Sequence, residues 1–122
     1  MNKVLVIDDN EGILDVVSII LEGEGYEVRQ LIEPAHVANL ESNDLPNLIL
    51  LDIWMSGADG RVICRQLKDQ EHTQHVPIVL MSANKDIAEI ADSAGADGYL
   101  AKPFEMEDLI TIVERFINKK SI

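Results

Sequence analysis

The chain has no surplus of positive charge, no second cysteine and no long apolar run. Ten Lys and Arg stand against 22 Asp and Glu in 122 residues, a formal net charge of −12. Without a basic patch to release counterions from phosphates, a nucleic-acid or anionic-membrane surface is disfavoured. The single cysteine, Cys64, excludes an internal disulfide and reads as a small buried helix residue, in keeping with a reducing cytoplasm. Nowhere do about 18 apolar residues run together, and the segment between Lys3 and the first aspartates is too short for a signal peptide. A soluble, cytoplasmic protein without membrane contact is expected. Internal repeats and low-complexity segments are also missing.

What is there is a globular composition, 47% hydrophobic, of a length suited to one domain. Short apolar runs alternate five times with stretches of helical period, the pattern of an α/β fold with a parallel sheet. The runs are Val4 to Ile7, Leu48 to Leu51, Pro77 to Met81 and Gly98 to Ala101, with Tyr26 to Leu31 a weaker, more polar strand as expected near a sheet edge. Asn10 is placed to cap a first helix with a core stripe of Ile13, Val16, Val17, Ile20 and Leu21, leaving Leu14 and Ile19 off it. Pro34 opens a second helix carrying Val37, Ala38 and Leu40 and ending around Ser42 and Asn43. Asp59 and Gly60 begin a third through Val62, Ile63 and Leu67. A fourth runs from about Asp86 to Ala94 and stops at Gly95, and a last one from Glu107 packs Leu109, Val113, Phe116 and Ile117. His36, His72 and His75 read as surface residues, because the latter two lack companion ligands at zinc spacing.

The chemistry collects where the strands end. The first run stops at Asp8 and Asp9, the central one at Asp52, the fourth at Ser82 and the fifth at Lys102. In open α/β sheets the carboxyl edge is where ligands bind. Two carboxylates about 4 Å apart repel by roughly 4 kcal/mol at an effective dielectric of 20, so three converging acids must protonate or hold a cation. A hard divalent ion with oxygen ligands, Mg²⁺ above all, is the natural counter-charge. A phosphoryl group on Asp52 would be held by that ion, the Ser82 hydroxyl and the Lys102 ammonium.

In this order the segments VLVIDDN, LILLDIWM with ADG, VLMSA and AGADGYLAKPF resemble the receiver domain of bacterial two-component response regulators, over essentially the whole chain, residues 1–122. The resemblance implies a flavodoxin-like (βα)5 domain, a parallel five-stranded sheet of order 2-1-3-4-5 with helices on both faces. It implies phosphorylation of Asp52, with Ser82 and Lys102 assisting. Mg²⁺, or Mn²⁺ in its place, would be held by Asp8, Asp9, Asp52 and the Trp54 backbone carbonyl. Ser82 and Tyr99 match the switch positions, and Lys102–Pro103 matches a peptide bond that is cis in the family. The implied partners are a histidine kinase or phosphotransfer protein upstream and a protein partner or output domain downstream. The protein would be a signalling phosphoacceptor, catalysing only its own phosphotransfer and dephosphorylation.

Three positions depart from the family pattern. Ser56 replaces the usual proline of the central loop, Ser82 replaces the commoner threonine, and the segment from Ser82 to Gly95 is about two residues short. Rival functions fit less well. A flavin phosphate would be repelled by the acidic DDNEG loop, and an aspartate-based phosphatase wants a second acid where Trp54 stands. An interaction module that is never phosphorylated has no need of all five site residues.

Overall fold

The computed structural model describes residues 2–31, 44–55 and 57–117. The helix expected after Pro34, together with His36 and Ser56, lies outside the described residues. In chain order the elements are β1 (Lys3–Ile7), α1 (Glu11–Gly23), β2 (Glu27–Leu31), β3 (Leu48–Asp52), β4 (Trp54–Met55), β5 (Ala58–Asp59), α2 (Gly60–Asp69), β6 (Ile78–Ser82), α3 (Ile87–Ala94), β7 (Gly98–Ala101) and α4 (Met106–Ile117). Five strands form one parallel sheet in the order β2-β1-β3-β6-β7. Because β4 and β5 form a separate two-stranded hairpin, this is the expected 2-1-3-4-5 order.

Strands β3 and β6 are buried along their whole length, as strands covered on both faces must be. Successive side chains alternate between the two faces, and the core divides accordingly. Leu5, Ile7, Ile49, Leu51, Ile78 and Leu80 join residues of α2 and α3, including Ile63, Cys64, Leu67 and Ala91. Val4, Val6, Leu48, Leu50, Val79 and Met81 join residues of α1 and α4, including Leu14, Val17, Leu21, Leu109 and Val113.

Helix starts follow local chemistry. Asn10 Oδ1 accepts the Ile13 N–H at 3.1 Å and caps α1, as its position predicted. Asp59 Oδ1 accepts the Arg61 N–H at 2.9 Å and caps α2. The buried stripe of α1 is rotated from the expected one: Leu14 is 1% exposed and Val16 51% exposed. The sequence stripe counted only apolar residues, whereas the buried face is Leu14, Val17, Ser18 and Leu21. Ser18 tolerates burial because its hydroxyl accepts a hydrogen bond from Gln30 Nε2 at 2.8 Å. In the polar segment after α2, His72 and His75 are exposed as expected, but Thr73 is buried and its hydroxyl donates to the Leu67 carbonyl at 2.6 Å.

Candidate functional site

Strand register builds the site. Ile7 pairs with Leu51 and Asp52 with Met81, while Ser82 pairs with Ala101. One residue further along each chain, Asp8 and Lys102 arrive at the same edge as Asp52. Asp8 is fully buried and Asp52 nearly so, whereas Asp9 is exposed. One carboxylate oxygen from each of Asp8, Asp9 and Asp52 lies within 4.8 Å of the others. All three are hard oxygen donors, so the cluster fits a divalent cation such as Mg²⁺ or Ca²⁺. No other grouping of acids, histidines and cysteine among the described residues forms a comparable cluster.

The Lys102 ammonium supplies the positive charge that the acids require. Its Nζ donates to Asp8 Oδ2 at 2.9 Å and to Asp52 Oδ1 at 3.1 Å. Burial would lower the Lys102 pKa, but the hydrogen bond to Asp8 and the charges of Asp52 and Asp8 outweigh it, holding the ammonium above its ordinary value. Asp52 is pushed upward, chiefly by burial and further by the Asp8 and Asp9 charges, against the opposing pull of Lys102. The remaining Asp8 oxygen, Oδ1, accepts the Asn10 N–H at 3.0 Å and so ties the acid to the start of α1. The Lys102–Pro103 bond is cis, matching the resemblance.

Ser82 is buried at the end of β6, where its hydroxyl accepts the Asn84 N–H at 3.0 Å. Asn84 Oδ1 in turn accepts the Asp86 N–H at 2.8 Å. Tyr99 is 46% exposed on β7, so its ring is not a permanent part of the core. It borders a groove of about 390 Å³ between α3, β7 and α4.

The structure adds features that the sequence reading missed. Immediately after β3 the chain doubles back in the β4–β5 hairpin, turning at Gly57 with a φ of 77° that favours glycine. The Gly60 N–H donates to the Ile53 carbonyl at 2.8 Å, and a Cβ on Gly60 would strike the Asp52 carbonyl oxygen and the Ile53 Cα. Trp54 is 51% exposed, and the Arg61 guanidinium covers its ring, 4.6 Å from the centroid. The signal for this contact was Asp59-x-Arg61, a helix cap whose second residue carries a planar cation.

A doubly wound parallel sheet with its charged residues at the carboxyl edge is a flavodoxin-like fold. The family model for the response regulator receiver domain matches residues 4–114, and the chain belongs to that family. It is 34% identical over 121 residues to the DNA-binding dual master transcriptional regulator RpaA of Synechocystis sp., an alignment covering 98% of this chain and 50% of the relative. The chain thus spans half the length of that regulator. Among solved structures it resembles a putative response regulator from Chloroflexus aurantiacus, with a TM-score of 0.88, 29% identity, and coverage of 97% of this chain and 98% of the other. It also resembles the receiver domain of a Pseudomonas aeruginosa sensor histidine kinase with a magnesium ion coordinated in the active site cleft, with a TM-score of 0.86, 28% identity, and coverage of 96% and 98%. The protein is therefore a receiver domain of two-component signalling.

Proposed function

We propose that Asp52 is the phosphoacceptor, receiving a phosphoryl group from a histidine kinase or phosphotransfer protein. The observation that carries this reading is the single ammonium, Lys102 Nζ, within hydrogen-bond distance of both Asp8 and Asp52. An Asp52 carboxylate oxygen attacks the phosphorus of the donor's phosphohistidine, the P–N bond breaks, and the imidazole nitrogen keeps the electron pair and takes up a proton. Lys102 is placed to follow the charge that develops on the transferred oxygens. The Ser82 hydroxyl, which accepts from Asn84, can turn to donate to a second oxygen. Water later attacks the acyl phosphate, releasing inorganic phosphate and restoring the carboxylate.

The acids Asp9 and Asp52, Asp8 directly or through water, and the Trp54 carbonyl are assigned to Mg²⁺, with Mn²⁺ as a substitute of the same charge and oxygen preference. When bound, the ion neutralises the acids and polarises the phosphoryl oxygens. The Trp54 carbonyl suits this role. Gly60 N–H to Ile53 C=O is the bond that flanks a non-hydrogen-bonded Trp54–Asp59 pair, so the carbonyl of Trp54 faces away from β5.

The output is assigned to protein binding at the face of α3, β7 and α4, because Tyr99 and Met106 are exposed there and Ile110 is only half-buried. Among the described residues no helix is long and apolar enough to cross a membrane. The domain works as a signalling switch, and its chemistry is confined to its own phosphorylation and dephosphorylation. Intact mass spectrometry after treatment with acetyl phosphate and Mg²⁺ tests the assignment. One added phosphoryl group on the parent chain and none on Asp52→Asn is expected; equal uptake by the variant refutes it.

A further inference from the structure

The hairpin that follows Asp52 is too short to hold its own shape. Each strand has two residues, and even full-length isolated hairpins are marginal in water. At the Met55–Ala58 end it is secured by burial of Met55 in the core. At the Trp54–Asp59 end the Gly60 N–H holds the Ile53 carbonyl at 2.8 Å, but the indole is half exposed and the Trp54 side chain is not secured by burial.

Arg61 supplies what that end lacks. Its Nε lies 3.0 Å from Asp59 Oδ1 and 3.2 Å from Oδ2, and its Nη2 lies 2.6 Å from Oδ2. The guanidinium carbon meanwhile sits over the ring of Trp54, the cross-strand partner of Asp59, 4.6 Å from its centroid. Asp59 is fixed in turn by accepting the Arg61 backbone N–H. An isolated exposed ion pair contributes little, but here one planar cation joins both strands of the hairpin to the first turn of α2, using its fork for the carboxylate and its face for the ring.

We infer that Arg61 is a positioning residue for this site, holding the β4–β5 hairpin so that the Trp54 carbonyl stays available to a divalent cation at Asp8, Asp9 and Asp52. The inference rests on the cation-assisted phosphoacceptor reading above. It assigns a role at the phosphorylation site to a side chain that touches none of its carboxylates. Lysine cannot replace it fully, since an ammonium has neither the fork nor the flat face.

The sign of the effect separates positioning from simple electrostatics. Removing a positive charge near a cation site should by itself tighten cation binding. Loss of a positioning group should weaken it, about tenfold where supporting contacts of metal ligands are lost. The experiment is calorimetric titration of the whole chain with MgCl₂ for the parent, Arg61→Ala and Arg61→Lys, each first shown to be folded by urea denaturation. The emission of Trp54, the only tryptophan, reports the stack independently. Expected are a changed emission and weaker Mg²⁺ binding in Arg61→Ala, a smaller loss in Arg61→Lys, and a maximal rate of phosphorylation by acetyl phosphate that recovers at saturating Mg²⁺. Unchanged or tighter binding in Arg61→Ala overturns the inference while leaving the site reading intact, as does an unchanged Trp54 emission. A parent chain that binds no Mg²⁺ overturns the site reading and this inference with it.

Discussion

Gly60 lies against the backbone of Asp52, so closely that a Cβ there would meet the Asp52 carbonyl oxygen and come within 2.8 Å of the Ile53 Cα. The first residue of α2 is thereby the support on which the end of β3 rests. These atoms are backbone and cannot swing aside as a side-chain end could. Gly60→Ala should cost about 1–3 kcal/mol, the usual penalty for overpacking. It should also slow phosphorylation of Asp52 by displacing it. Urea denaturation and intact mass after acetyl phosphate treatment measure the two effects, and parent-like values for both would show that the backbone yields freely.

Lys102 neutralises two buried acids, so its removal strands them. Breaking a buried pair from one side costs roughly 3–5 kcal/mol, and the residual exposure of Lys102 puts Lys102→Ala near the lower end, about 3 kcal/mol. Mg²⁺ should return part of that loss in the variant, because a divalent cation at the acids takes over the missing charge. Chelation with EDTA should remove the recovery. Urea midpoints with and without the ion give the comparison; a variant as stable as the parent, or indifferent to Mg²⁺, contradicts the arrangement.

Cys64 is fully buried on α2, and burial raises its thiol pKa to about 11. The folded pKa lies above the thiol's ordinary value of 9.0, so folding favours the protonated thiol. Its contribution to stability is complete below pH 9 and is lost as the pH rises towards 11. Iodoacetamide at pH 8 should label Cys64 only in urea, and rapid labelling of the native protein would contradict its burial.

Hydrolysis of phosphorylated Asp52 is expected to be slow. The side chains two residues beyond Asp52 and Ser82 are best placed to orient an attacking water, and both are constrained. Trp54 carries Arg61 on its ring, and Asn84 Oδ1 is engaged by the Asp86 N–H. Trp54→Asn should lose phosphate faster by about tenfold, a modest share of what positioning a nucleophile contributes. Phosphate release followed at saturating Mg²⁺ after removal of the donor decides it, and equal or slower loss counts against the proposal.

If the face of α3, β7 and α4 carries the output, phosphorylation should change how it meets a partner. A pull-down from a native cell lysate with beryllofluoride as phosphoryl mimic should capture a protein whose binding is lost in Ile110→Asp and Tyr99→Ala. A phosphorylation-dependent homodimer in sedimentation, or capture indifferent to both variants, would reject the assignment.

The sheet and its carboxyl-edge residues were legible because four of its five strands are short apolar runs stopped by a polar group, as at Ile7–Asp8 and Leu51–Asp52, while β2, Glu27–Leu31, is a polar edge strand. The sequence pattern predicts the α3 segment at Asp86 to Ala94, and it is observed at Ile87–Ala94, ended by Gly95 with a φ of 81°. Less legible were contacts that depend on three-dimensional approach. The burial of Leu14 over Val16 depends on whether Ser18 finds a partner, and that partner, Gln30, belongs to another element. The stacking of Arg61 on Trp54 required a two-residue hairpin, shorter than any periodicity can reveal.

The alternation of side chains along the strands has a mechanical consequence at the edge. Asp52 continues the series Leu48 and Leu50, and Lys102 continues from Leu100, all on the α1 and α4 side. Ser82 continues Ile78 and Leu80, on the side of α2 and α3. The charged residues and the hydroxyl therefore issue from opposite surfaces of one sheet. A phosphoryl group on Asp52 that recruits Ser82 must draw on both surfaces at once, pulling the end of β6 and the turn at Asn84 across the sheet's rim. The loop into α3 would then act as a lever with its fulcrum in β6, and addition of a single group could tilt one helical layer against the other.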